Sequence, residues 1–146
     1  MRLTTYTDYG LRLLIYVALK EGELATIQEV ADAYAISKNH LMKVAYHLGQ
    51  YGHLETVRGR GGGLRLARSP ERIRLGEVIR HMEDDFTLVE CFEPSNTCRI
   101  TRACRLKGIL GEALKAYLAV LDRYTLADLI DRQSALDTIL LNRAAR

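Results

Sequence analysis

No fourth cysteine accompanies Cys91, Cys98 and Cys104 in the 146-residue chain, so the three thiols cannot all pair as disulfides within it. No apolar run approaches the roughly 18 residues that would suggest a membrane span. A signal peptide is also missing, because the amphipathic first stretch carries Asp8 and Arg12. Gly59-Arg60-Gly61-Gly62-Gly63 has no following Lys-Ser/Thr and leads into a strand rather than a helix, which excludes a phosphate-cradling nucleotide loop. Neither a cofactor fingerprint nor a catalytic constellation stands elsewhere, so an enzyme is not expected. Cytoplasm is the default location.

What is present has globular composition, 48% apolar and 27% charged residues. The net charge of +3 is modest, but it is unevenly spread. Residues 58–74 hold six arginines against the single acid Glu71, whereas from residue 81 nine basic residues face ten acidic ones. Charge alone fits a solvated arginine-rich surface. It also fits a nucleic-acid-binding front half followed by a protein-binding back half.

Leu11, Leu14, Ile15, Ala18 and Leu19 predict a first helix from about Thr7 to Lys20. Thr26 and Glu29 read as a capping box for a second helix with Ile27, Val30, Ala31 and Tyr34 on one face. After a short turn at Ala35-Ile36, Ser37 is the expected N-cap of a third helix, whose Leu41, Val44, Ala45 and Leu48 form a buried stripe. Two short helices joined by a tight turn make a helix-turn-helix. Ser37, Lys38, Asn39, His40 and Lys43 then stand where base edges and phosphates are contacted in the major groove, although such residues also coat ordinary surface helices. Leu54–Arg58 and Leu64–Leu66 read as two strands of a wing, with Arg58, Arg60 and Arg65 placed to reach a minor groove or a phosphate. The fold class is therefore mainly α with a small β wing.

A short helix carrying Leu75, Val78, Ile79 and Met82 precedes the cysteine loop. Beyond the loop, Ala103, Leu106, Leu110, Ala113, Tyr117, Val120 and Tyr124 repeat at spacings of three and four, a heptad seam. Ile109, Leu114, Leu118 and Leu121 make a second apolar face, so the helix can pack on its own domain and on a second copy. The expected organisation is a winged helix-turn-helix over 1–84, a cysteine loop over 85–104, a dimerisation helix and short helix over 105–132, and a C-terminal tail over 133–146.

Three cysteines within fourteen residues, beside Pro94, Ser95 and Asn96, do not look like core positions. The C-x6-C-x5-C spacing is too open for a zinc knuckle and suits a loop wrapped around an iron–sulfur cluster. A metal-free thiol switch stays open. The fourth ligand has several candidates: Glu90, Glu93, His81 and Asp8. A carboxylate is a harder ligand and less tightly held by cluster iron than a thiolate. Arg12 lies four residues after Asp8 and could support its carboxylate, while an ordinary charge near a helix N-terminus is the plainer reading of Asp8 alone.

Leu3-Thr4, Thr7 to Arg12, Ser37 to Leu41, Val57-Arg58-Gly59 with Gly62-Gly63, Ala103 to Leu106 and Tyr124 to Leu129 together identify the chain as resembling a known family. It is the family of small winged-helix iron–sulfur repressors that includes NsrR and IscR, and the nitric-oxide-sensing NsrR branch is the nearer. The resemblance implies a homodimer on double-stranded DNA at a palindromic operator, with a cluster held by Cys91, Cys98 and Cys104 and by an aspartate matching Asp8 from the other subunit. IscR-like members carry a histidine three residues after the last cysteine, where this chain has Lys107. The resemblance therefore favours [4Fe–4S] over [2Fe–2S]. Nitric oxide is the expected signal, with sensing of iron–sulfur status or redox state by the same fold as the alternative.

Overall fold

Helices begin where the sequence supplies caps. In the computed structural model, which describes residues 2–142, α1 (Thr5–Leu19) is capped by Thr4, whose hydroxyl accepts from the Thr7 N–H. The cap explains why the helix starts two residues earlier than its apolar periodicity suggests. Thr4 is also anchored across the molecule, its N–H and hydroxyl both bonding Glu83 Oε1 at 2.8 and 3.0 Å. The capping box of α2 (Ile27–Tyr34) is formed as expected by Thr26 and Glu29. That helix stops at Ala35, which takes the left-handed conformation (φ 53°, ψ 42°) and turns the chain into α3 (Lys38–Gln50).

The core is built on α1. Leu13 and Leu14 are fully buried and pack with Val17 against Val30 of α2 and Leu41, Val44 and Leu48 of α3. The stripe read from the sequence of α3 is the buried one. Two antiparallel strands follow, β1 (Leu54–Val57) and β2 (Gly63–Leu66), in the register Leu54↔Leu66 through Val57↔Gly63. Ala25 pairs with Leu64 beside them, so the chain before α2 extends the wing by one bridge. The hairpin loop needs its glycines: Gly59 and Gly61 have φ of 102° and 74°, and a Cβ on Gly62 would collide with the Val57 carbonyl oxygen.

After a 3-10 turn at Pro70–Arg72 comes α4 (Leu75–Met82), which buries Leu75, Val78, Ile79 and Met82 against α1 and α3. The cysteine segment carries only a 3-10 turn at Glu90–Phe92. Helix α5 (Leu106–Leu121) follows, and not one of its residues is buried. Its far end returns to the domain: the Leu75 N–H donates to the Tyr124 carbonyl, and the Leu126 N–H to the Ile73 carbonyl. Leu126, at the start of α6 (Leu126–Leu129), is wholly buried. The last described helix, α7 (Gln133–Leu140), reaches α1 and lies where the sequence predicts a tail. Residues 143–146 of that expected tail lie outside the described residues.

Along α5 the two expected faces sort differently from the sequence reading. Leu110, Leu114, Tyr117, Leu118 and Leu121 are half-buried, whereas Leu106, Ile109, Ala113, Ala116 and Val120 are exposed at three- and four-residue spacings. The open stripe thus takes Ile109 in place of Leu110 and Ala116 in place of Tyr117.

Candidate nucleic-acid interface and metal centre

Helix α3 presents its polar residues from a firmly held base. Ser37, Lys38, Asn39, His40 and Lys43 are all exposed, and Ser37 makes no side-chain cap bond. Behind them Tyr6 of α1 donates its hydroxyl to the Lys43 carbonyl at 2.9 Å, and Tyr9 faces the His40 ring at 6.4 Å. The helix that carries Asp8 therefore also sets the position of the candidate recognition helix. A backbone bond from His53 to the Leu48 carbonyl joins the end of α3 to the wing.

At the hairpin loop Arg58 and Arg60 stand exposed. Arg65 differs from them. It lies directly opposite Glu55 in the strand register and binds that carboxylate through Nε and Nη2, at 2.9 and 2.8 Å. Its charge is already partnered, which leaves Arg60 the freer cation of the two.

The three cysteines come together. Cys91, Cys98 and Cys104 line one cavity of about 220 Å³, with Val89, Ile100 and Leu106 as its apolar wall and Lys107 at its edge. Side-chain bonds shape the loop around it. Asn96 Oδ1 accepts from the Cys98 N–H, its Nδ2 donates to Thr101, and the Thr101 hydroxyl donates to the Cys98 carbonyl. Glu90 closes the loop by accepting both the N–H and the hydroxyl of Thr97, at 2.9 and 2.7 Å. Those two bonds hold its carboxyl below the usual carboxylate range.

The donor set and its spread suit a cluster. Three thiols with an amide N–H directed at sulfur, that of Leu106 at 3.4 Å from Cys104 Sγ, form an iron–sulfur-type environment. Among the described residues the one trio of metal-ligating side chains with donor atoms all within 4.8 Å is His53, Glu77 and His81, so the thiols are spread wider than that. A single tetrahedral zinc, with Zn–S of about 2.3 Å, would hold its sulfurs less than about 4 Å apart. The N-terminus of α5 and the Lys107 ammonium add positive potential on the same side.

The candidate fourth ligands separate. Glu90 is the one candidate that lines the cysteine cavity, where its Oε1 accepts from Thr97, whereas His81 is hydrogen-bonded to His53 at 2.9 Å under the wing. Glu93 accepts from Ser95 at 3.4 Å, and like His81 it does not line the cysteine cavity. Asp8 does not line it either. It faces a separate surface depression with Arg2, Leu3 and Leu11, and its carboxylate is held by Arg12 at 2.8 Å. Arg12 in turn lies over the Tyr34 ring, 5.9 Å from its centre. Within one chain, then, Asp8 and the thiols belong to different surfaces.

The group of His53, Arg68, Glu77 and His81, of which His53 is the buried member, leaves no signal in the sequence, since no local spacing links the base of the wing to α4.

The iron-dependent transcriptional regulator family Rrf2 matches residues 3–132. The HTH-type transcriptional regulator NsrR of Bacillus subtilis is 56% identical over 142 residues, covering 96% of this chain and 97% of its own. That of Geobacillus kaustophilus is 48% identical over 145 residues, covering 98% and 99%. Among solved structures, T. potens IscR superposes with a TM-score of 0.71 at 26% identity, over 90% of this chain and 88% of that one. CymR, the global cysteine regulator of B. subtilis, gives 0.69 at 28% identity over 90% and 98%. A winged helix-turn-helix with a small two-stranded sheet and a family match across nearly its whole length lead to one conclusion: the chain belongs to the Rrf2 family of transcriptional regulators, and it is not an enzyme.

Proposed function

We propose that the protein is a cytoplasmic, homodimeric repressor whose operator binding is controlled by an iron–sulfur cluster that reacts with nitric oxide. The observation that carries this reading is the convergence of Cys91, Cys98 and Cys104 on one cavity at the start of a helix with an unburied apolar stripe. The three cysteines would hold the cluster and Asp8 of the partner subunit would complete it, a reading consistent with the placement of Asp8 away from the cavity of its own chain. A [4Fe–4S] cluster is favoured over [2Fe–2S] by Lys107, which offers no imidazole. When bound, such a cluster supplies iron able to take up nitric oxide.

The chain's own residues do the rest. Leu106, Ile109, Ala113, Ala116 and Val120 pair with the same stripe of a second copy and fix the dimer axis. Asp8, the hardest of the four ligands, would be the one held least tightly. Because α1 carries both Asp8 and Tyr6, a tethered Asp8 also steadies α3 through the Tyr6–Lys43 bond. Two tethered α3 helices sit about 34 Å apart, one turn of DNA, and read a palindromic operator. Untethered, they lose that spacing and repression lifts.

Operator affinity of the anaerobically purified protein, measured with and without its cluster, tests this reading. A large loss on cluster removal is expected. Equal affinity of both forms would end it, and sensitivity to cluster loss without any response to nitric oxide would leave sensing of iron–sulfur status by the same fold.

A further inference from the structure

A second set of metal-ligating side chains lies away from the cysteines, at the base of the wing. His53 immediately precedes β1, Glu77 and His81 are four residues apart on α4, and Arg68 follows β2. His53 Nε2 and His81 Nδ1 are 2.9 Å apart, and with a Glu77 carboxylate oxygen all three donor atoms lie within 4.8 Å of one another. The i,i+4 spacing puts Glu77 and His81 on one face of α4, aimed at His53. His53 is wholly buried, and Tyr51 stacks flat on the His81 ring at 4.1 Å, so neither imidazole is free to wander.

Arg68 closes the remaining side. Its Nη2 lies 2.8 Å from His53 Nδ1 and 3.1 Å from Glu77 Oε1, and its Nε is buried without a hydrogen-bond partner. A guanidinium only donates, so His53 Nδ1 must accept, and the proton of that ring sits on Nε2 facing His81. The arrangement is one of two imidazoles and a carboxylate converging on a point, with a single monovalent cation beside them.

We propose that His53, Glu77 and His81 form a binding site for a divalent transition-metal ion such as zinc, cobalt or nickel, with Arg68 as the resident counter-charge in its absence. Two nitrogens and a carboxylate oxygen are a donor set suited to these ions. On metal uptake the proton on His53 moves from Nε2 to Nδ1, and the Nε2 lone pair binds the ion together with His81 Nδ1 and Glu77, so no proton is released overall. Arg68 then meets a donor where it had an acceptor. Its side chain is 32% exposed, which gives the guanidinium a route into water, where its unsatisfied Nε is hydrated. The ion would join the base of the wing to α4 and stiffen the wing against the helix-turn-helix. The site is independent of the thiol loop and uses none of its residues.

The test is a cobalt(II) titration of the full-length C91S/C98S/C104S variant, followed by visible ligand-field absorption without any thiolate contribution. Saturation at one ion per chain, reversal by zinc, and loss of the signal in H81Q and in E77Q are expected. These two positions are only half-buried, so both variants should fold where H53Q would be strained. R68Q should bind cobalt more tightly than the parent, because the competing cation is gone. No saturable binding, or binding that survives both H81Q and E77Q, would overturn the proposal, as would weaker binding in R68Q.

Discussion

Arg80 on α4 grips Asp122 at the end of α5 with two parallel hydrogen bonds, Nη1 to Oδ1 at 2.6 Å and Nη2 to Oδ2 at 2.7 Å. The pair ties the winged domain to the helix that leaves the cysteine loop, beside the backbone bridge between Arg74 and Thr125. Gly76 makes room for it, since a Cβ there would collide with the Asp122 carboxylate. The hydrogen bonds from Arg80 hold the Asp122 carboxyl below its ordinary value of 3.8. A depressed folded value means the stabilisation is complete above the unfolded value and is lost as pH falls through the folded one, so the clamp is fully formed at neutral pH.

Gly76→Ala and Asp122→Asn should both release this clamp. The two side chains are still 40% and 36% exposed, so solvent screens the pair and thermal stability should change little. The effect should appear in coupling: the difference in operator affinity between cluster-bound and cluster-free protein should shrink in both variants. Binding measured on both forms checks it.

Leu126→Ala should destabilise the whole winged domain by about 2–5 kcal/mol, the usual cost of truncating a fully buried leucine. The side chain comes from beyond α5, yet it is part of the core that α1 organises. A single cooperative urea transition shifted to lower midpoint is the expected record. A separate early transition would mean that the C-terminal segment folds apart from the domain.

The wing arginines should differ in their effect on DNA. Arg60→Ala should weaken binding on all sequences and lower the salt slope by about one, as loss of one phosphate contact does. Arg65→Ala should do less, because Glu55 already neutralises that guanidinium. Asn39→Ala should cost about 1–3 kcal/mol and relax the preference at one operator position. Titrations on operator and random duplex at two salt concentrations separate the three.

Ile109→Asp should leave the fold intact, since the residue is 57% exposed, and should convert the proposed dimer to monomers. Sedimentation analysis reads this directly. A variant that stays dimeric would place the interface elsewhere.

Much of the architecture was legible because its signals are local. The Thr26–Glu29 capping box, the stripe of Leu41, Val44, Ala45 and Leu48, and the glycine hairpin each depend on neighbours a few residues away. Where a choice was set by tertiary contact, the pattern ran out. Periodicity gives α5 two apolar faces but does not say which one the domain takes, and the chain chose Leu110, Leu114 and Tyr117. Arg65 read as a free cation until strand register put Glu55 opposite it. Distance along the chain made His81 and Glu90 equal ligand candidates, and the fold parts them: His81 lies beside His53 under the wing, whereas Glu90 lines the cysteine cavity.

The most direct test of the account is an anaerobic nitric oxide titration of the wild-type protein and of Asp8→Ala, following cluster absorbance and operator occupancy together. Wild-type operator binding should fall in step with the absorbance change, and Asp8→Ala should bind operator weakly before any nitric oxide is added. Operator binding that persists after the cluster has fully reacted would contradict it.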